Sequence, residues 1–256
     1  MKDVASVQSG RRVVGLRHDL DTVYGLKWGL PKIISIEKKY GVKSTLFVRV
    51  DVVRSKKDKR ILKALADEGW EIGLHLINTV NDSRLMPPES ELKLLKKLLG
   101  VPIYGVTPCG STIGFKGDVT WRIMCSLGLK YMEGYGMPDF KVDTFVFPTH
   151  LSLDIHYVRN FGEKEGYQKF KEDLLQQLSQ NGIATVLVHP EGFVRSVQSH
   201  GLLKVPLTLL RKGMMNKVYE RFLCEFKDKV EFKRYIDIYQ RLTLKGSRRW
   251  RGVYEG

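Results

Sequence analysis

Short runs of apolar, mostly β-branched residues alternate along this chain with stretches of helical periodicity, and most of the latter stop at a glycine. That alternation is the sequence form of a parallel α/β sheet, in which each strand is covered by the helix that follows it. Residues 13–16, 44–50, 71–74, 103–107, 130–132, 144–147 and 183–188 read as strands. The last of these, Ile183-Ala184-Thr185-Val186-Leu187-Val188, suits burial on both faces. Helices are predicted over 31–40, with Pro31 in the first turn and Gly41 at the stop, and over 60–68, 89–99, 118–127, 163–180 and about 205–226. Residues 230–232 read as a closing strand. The expected fold is a distorted (β/α) barrel of about seven parallel strands. One such domain is expected over residues 1–240, with a basic tail over 241–256, since single barrels run to about 250 residues.

Composition limits the partners more than the fold. No apolar run approaches the roughly 20 residues of a membrane helix, so membrane insertion is not expected. The first residues lack the apolar stretch of a secretory signal, and the three cysteines, Cys109, Cys125 and Cys224, are odd in number and widely spaced. A cytoplasmic location is the expectation. Lysine and arginine number 43 against 28 acidic residues, a net charge of +15; either this is a solvated lysine-rich surface or it favours an anionic partner such as an acidic glycan or nucleic acid.

Several strands run straight into ionisable residues: Arg17-His18-Asp19-Leu20-Asp21, then His75, then Thr107-Pro108-Cys109-Gly110, then His189-Pro190-Glu191. In a parallel α/β fold the carboxyl ends of the strands emerge on one side, so these groups should meet there. Two carboxylates spaced as Asp19 and Asp21 can take different tasks, one holding a cation and one a proton, and a divalent metal accepts a carboxylate with an imidazole such as His75. The plain alternative for the pair is capping or hydrogen bonding to loop amides. Arg17 and His18 could orient Asp19, meet an acidic substrate or form a structural ion pair. His150 and His156 are read as ordinary loop histidines, with spare ligands or substrate contacts as the alternatives, and His200 carries no mark. There is no phosphate-binding glycine loop, no Gly-x-Ser-x-Gly elbow and no Cys-x-x-Cys pair.

The order of Arg17-His18-Asp19-Leu20-Asp21, then Ile36-Glu37-Lys38-Lys39-Tyr40-Gly41-Val42-Lys43-Ser44-Thr45-Leu46-Phe47, then Gly69-Trp70-Glu71-Ile72-Gly73-Leu74-His75, with Leu187-Val188-His189-Pro190 late in the chain, resembles the polysaccharide deacetylase family with NodB homology. The resemblance covers about residues 13–190. It implies a barrel with a divalent metal, most often zinc, and removal of an acyl (acetyl) group from an N-acylated amino sugar or sugar conjugate. By resemblance Asp19 would be the general base, His189 the general acid, and Asp21 and His75 metal ligands. The family's second histidine ligand falls four residues after the first, where this chain has Thr79, a poor zinc ligand. Cys109 is the preferred replacement, since thiolate binds zinc; a small buried cysteine is the alternative. The competing functional reading is a non-catalytic binding protein on the same fold, its metal site eroded at Thr79 and its basic face turned to acidic glycan or nucleic acid. A metal-dependent glycosyltransferase using the two aspartates is weaker, because the pair follows the first strand.

Overall fold

The computed structural model describes residues 12–110, 113–149, 151–194 and 214–244. Nine strands are present: β1 (Val13–Leu20), β2 (Thr45–Val48), β3 (Glu71–Leu76), β4 (Gly105–Pro108), β5 (Tyr131–Gly134), β6 (Phe145–Pro148), β7 (Leu151–Ser152), β8 (Ile183–Leu187) and β9 (Glu231–Lys233). Among the described residues all pairings are parallel, and eight of the strands follow the order β6-β5-β4-β3-β2-β1-β8-β7. The sheet is curled, with no pairing of β6 to β7 among the described residues. Instead the Thr185 hydroxyl on β8 donates to the Pro148 carbonyl at the end of β6, 2.8 Å away, and joins the two ends of the sheet. The result is a distorted, incompletely hydrogen-bonded barrel.

β9 does not close this barrel. It pairs with Val13–Gly15 at the start of β1, below the point where β2 takes over that edge from Arg17 onward. Seven helices complete the described chain: α1 (Leu30–Tyr40), α2 (Lys56–Asp67), α3 (Pro88–Leu99), α4 (Asp118–Ser126), α5 (Arg159–Asn181), α6 (Met214–Phe226) and α7 (Tyr235–Leu244). Gly41, Gly100 and Gly182, all at positive φ, end α1, α3 and α5, as the glycine stops predict. α2 starts earlier than its apolar face suggests, because Ser55 and Asp58 form a reciprocal capping box ahead of it. The helix expected from about 205 is described from 214 onward; its first residues, like His150, His200 and the basic tail, lie outside the described residues.

Outside the sheet two apolar clusters fill the space under the helices. One packs α1, α5 and α6 on β1, β7 and β8, and the other lies under α2, α3 and α4. Inside, the amino-terminal end of the barrel is stopped by α7, whose Tyr235 and Ile238 pack with Phe47, Tyr131, Phe145 and Phe147. Gly73 and Gly105 leave room there for the Phe47 and Tyr131 rings. With this end filled, solvent reaches the interior from the carboxyl ends of the strands.

Glu71 ties the plug to the barrel wall. Its carboxylate accepts from the Thr45 hydroxyl (2.8 Å), the Tyr131 hydroxyl (2.7 Å) and the Ile236 amide at the start of α7 (2.9 Å). Burial outweighs these bonds and raises its pKa from 4.5 to about 7. Between those values the unfolded chain has released the proton and the folded chain has kept it, so stability from this group is full below pH 4.5 and is lost as pH rises through 7. Glu71→Gln cannot ionise. Urea unfolding should show the wild type losing up to about 3 kcal/mol relative to this variant between pH 4.5 and 8; parallel stability curves would contradict the assignment.

Candidate active site

Side chains alternate along β1, and that alternation sorts its polar residues. Arg17 and Asp19 face the barrel interior, whereas His18 faces the helices, with Nδ1 2.9 Å from the Val188 carbonyl and Nε2 2.9 Å from Glu37 Oε1. Glu37 is itself held by Ser44, Trp70 and Tyr219, so His18 belongs to a buried structural network and not to the site. Arg17, only 2% exposed, donates to Asp19 Oδ2 at 2.6 Å and pairs with Glu133 from β5. Burial alone would lower the pKa of its guanidinium, but Asp19 outweighs this and keeps it charged. Glu133 also accepts from Thr107 and Thr149. Asp19 Oδ1 is buried and accepts no hydrogen bond among the described residues.

Asp21 follows β1, His75 lies on β3 and Cys109 follows β4, and the structure brings the three together. Each offers a ligand atom within 4.8 Å of the others. His75 Nε2 is 3.0 Å from Asp21 Oδ1, and the Cys109 thiol is 3.5 Å from the same oxygen. His75 Nδ1 lies 3.4 Å from the Thr107 carbonyl, an orientation that turns Nε2 into the site. Burial opposes ionisation of both groups. Charge attraction wins: His75 holds Asp21 well below the carboxylate range, and Asp19, whose Oδ2 lies 3.7 Å from His75 Nε2, together with Asp21 holds His75 well above the ordinary imidazole value. A cation seated among the three would take the place of the His75 proton, and its uptake would release that proton. One carboxylate oxygen, one imidazole nitrogen and one thiol form a donor set suited to zinc.

His189 stands at the end of β8 beside this triad, with Nε2 3.7 Å from Asp21 Oδ2. Its Nδ1 is 2.9 Å from Asp154 Oδ2, and its backbone N–H donates to the same oxygen at 2.9 Å. Burial pushes His189 down, but the charge of Asp154 and the hydrogen bond overcome it and raise the pKa to about 10. Asp154, fully enclosed, is held below its ordinary value by His189 in turn.

Other candidates lie elsewhere. The turn after β3 is peeled away by Glu91, whose carboxylate accepts the Ile77 and Asn78 amides, and the Thr79 hydroxyl donates to the Gly114 carbonyl at 2.6 Å. Thr79 is therefore not a fourth member of the cluster. His156 is exposed on the turn before α5. Residues that the sequence did not single out complete the site: Asp154, Glu133 and Arg49. Arg49 Nη1 lies 3.6 Å from Cys109 Sγ, while its other nitrogens bind Asp51. Tyr135, beyond β5 and half-exposed, packs on Phe115 at 5.9 Å between ring centres.

No protein-family model matches the chain, and no curated protein matches it. Solved structures do. A Mycobacterium smegmatis protein assigned to the polysaccharide deacetylases matches with a TM-score of 0.68 at 15% identity, over 98% of this chain and 97% of its own. PuuE allantoinase matches at 0.66 and 14% identity, over 92% and 91%. A CE4 family pseudoenzyme from Bacillus anthracis matches at 0.52 and 16%, over 90% of this chain and 66% of that one. The chain thus has the fold of the polysaccharide deacetylases, with its ionisable cluster at the carboxyl ends of the strands.

Proposed function

We propose that this chain is a metal-dependent hydrolase that removes an acyl group, acetyl foremost, from an N-acylated amino sugar or sugar conjugate inside the cell. The observation that carries the reading is that two carboxylates two residues apart keep different partners: Asp21 sits with His75 and Cys109, while Asp19 is bonded to Arg17 and stands 3.7 Å from His75 Nε2. The neighbours named as a polysaccharide deacetylase and an allantoinase support a hydrolase on this fold.

In this mechanism Asp21, His75 and Cys109 would hold the cation, most favourably zinc, which would supply Lewis acidity for a carbonyl and for water. Arg17 pins Asp19 through Oδ2, the oxygen 3.7 Å from His75 Nε2, and Asp19 takes a proton from the attacking water. His189, protonated through the neutral range and oriented by Asp154, delivers a proton to the departing nitrogen. The net charge of +15 suits an anionic sugar conjugate.

A second reading rests on Thr79, which is bonded to Gly114, and on the resemblance to a CE4 family pseudoenzyme: a metal-free binding protein for acidic glycan or nucleic acid. Elemental analysis separates the two. The hydrolase should carry close to one divalent ion per chain; less than about a tenth of an ion, unrestored by added zinc, cobalt or nickel, would sink it. Asp21→Ala should lose both ion and hydrolysis of an N-acetyl sugar. Asp19→Asn should keep the ion and lose hydrolysis, and equal loss of metal in both would show the two carboxylates wrongly assigned.

The acid role of His189 has its own signature in the pH profile. Its proton is held up to about pH 10 by Asp154, so the alkaline limb of kcat/KM should move to lower pH in Asp154→Asn, which removes the charge that raises it. A limb that stays in place would take His189 out of the acid role.

A further inference from the structure

Two segments carry the site's opposed groups: the turn 19–22 after β1, and the turn 189–191 after β8. They are joined by a contact that the mechanism above does not use. Thr22 Oγ1 accepts the Gly25 amide at 2.9 Å, capping the helical segment that leads into α1, and its hydroxyl donates to Glu191 Oε1 at 2.5 Å. Thr22 is the residue after the proposed ligand Asp21, and Glu191 is two residues after the proposed acid His189.

The surroundings of Glu191 are built around it. The helical segment begins with a widened turn over Gly25–Gly29, in which the Leu30 amide reaches back to the Gly25 carbonyl. Such widened turns are rare and recur at functional sites. Neither glycine is at positive φ, so backbone conformation does not require glycine at either place. Close approach does: a Cβ at Gly25 would collide with the Glu191 carboxylate, and one at Gly29 with the Pro190 carbonyl. Lys32 on α1 holds the same turn from beyond, donating to the Phe193 carbonyl at 3.0 Å. Glu191 itself is a costly choice for a space-filling residue. Its Oε2 is buried without a hydrogen bond among the described residues, and an unmet buried polar atom costs about 1–3 kcal/mol.

We infer that Glu191 is a positioning residue: through Thr22 it locks the turn bearing Asp21 to the turn bearing His189. It thereby sets the 3.7 Å spacing between Asp21 Oδ2 and His189 Nε2. The inference deepens the proposed function and rests on the metal reading of Asp21, His75 and Cys109. Losing the lock lets the Asp21 turn relax, and groups that orient a ligand from behind are worth about 10-fold to 100-fold in metal affinity. The length and acceptor oxygen of the side chain matter here, and its charge does not, since a glutamine carbonyl accepts the same Thr22 hydrogen bond.

Zinc affinity, measured by competition with a chromophoric chelator, tests this without reference to turnover. Glu191→Ala should bind zinc about tenfold more weakly than wild type, while Glu191→Gln should stay within about twofold of it. If Glu191→Ala does not fold, Gly25→Ala displaces the carboxylate from the other side and should weaken zinc binding in the same direction. A Glu191→Ala protein that unfolds at lower temperature yet binds zinc like wild type would overturn the inference and leave Glu191 a structural residue. So would a glutamine variant as weak as the alanine variant. A wild type that binds no zinc, cobalt or nickel would instead overturn the metal reading, and this inference with it.

Discussion

A buried cation organises the interior of this barrel. Arg17 lies among strands with almost no access to water, where an unpaired guanidinium would be costly by several kcal/mol. Asp19 and Glu133 meet that demand from two sides, and Glu133 is held in turn by Thr107 and Thr149. The network therefore spans β1, β4, β5 and the residue after β6, and deleting one member would leave its partners charged and unmatched. It also divides the interior into a floor of aromatic rings under it and an ionisable mouth above it. Asp19 belongs to both: its Oδ2 pairs with Arg17 in the network and lies 3.7 Å from His75 Nε2 at the mouth.

Directionality does the rest. Because every strand pair is parallel, each strand delivers its last residues to the same end, and groups from residue 19 to residue 189 meet without any long excursion of the chain. α7 fills the opposite end with apolar side chains, so the ionisable groups collect at the carboxyl ends of the strands. On that side Asp21 is shared between a nitrogen and a sulfur donor, and His189 leans on an enclosed carboxylate. The opposed environments of Asp19 and Asp21 follow from a two-residue step across the end of β1, where the strand gives way to the turn.

Much of this was legible in the sequence. The apolar runs and glycine stops mark the strands and helices in order, and the polar residues at strand ends mark Asp19, Asp21, His75, Cys109 and His189, which the fold brings to one end. What stayed hidden has physical causes. β1 continues through Arg17-His18-Asp19-Leu20, because inward-facing charges interrupt the apolar run without ending the strand. β7 has two residues, too few for any periodicity, so nothing in the sequence marks Asp154 just after it. Glu133 and Arg49 belong to no short motif; their roles come from partners 116 and 60 residues away in sequence, Arg17 and Cys109. α7 begins two residues after β9 and is absent from the helices read in the sequence; its packing on rings from β2, β5 and β6 is a long-range contact that no local pattern marks.

On the proposed reading Cys109 takes the ligand place that Thr79 leaves, and cobalt reports on it directly. A thiolate bound to cobalt(II) gives a ligand-to-metal charge-transfer band in the near ultraviolet that nitrogen and oxygen ligands do not. The cobalt-loaded wild type should show this band, and Cys109→Ser should lose it while keeping the weaker visible bands of bound cobalt. A spectrum unchanged by the serine substitution, or a cobalt-loaded wild type without the band, would contradict the ligand set of Asp21, His75 and Cys109.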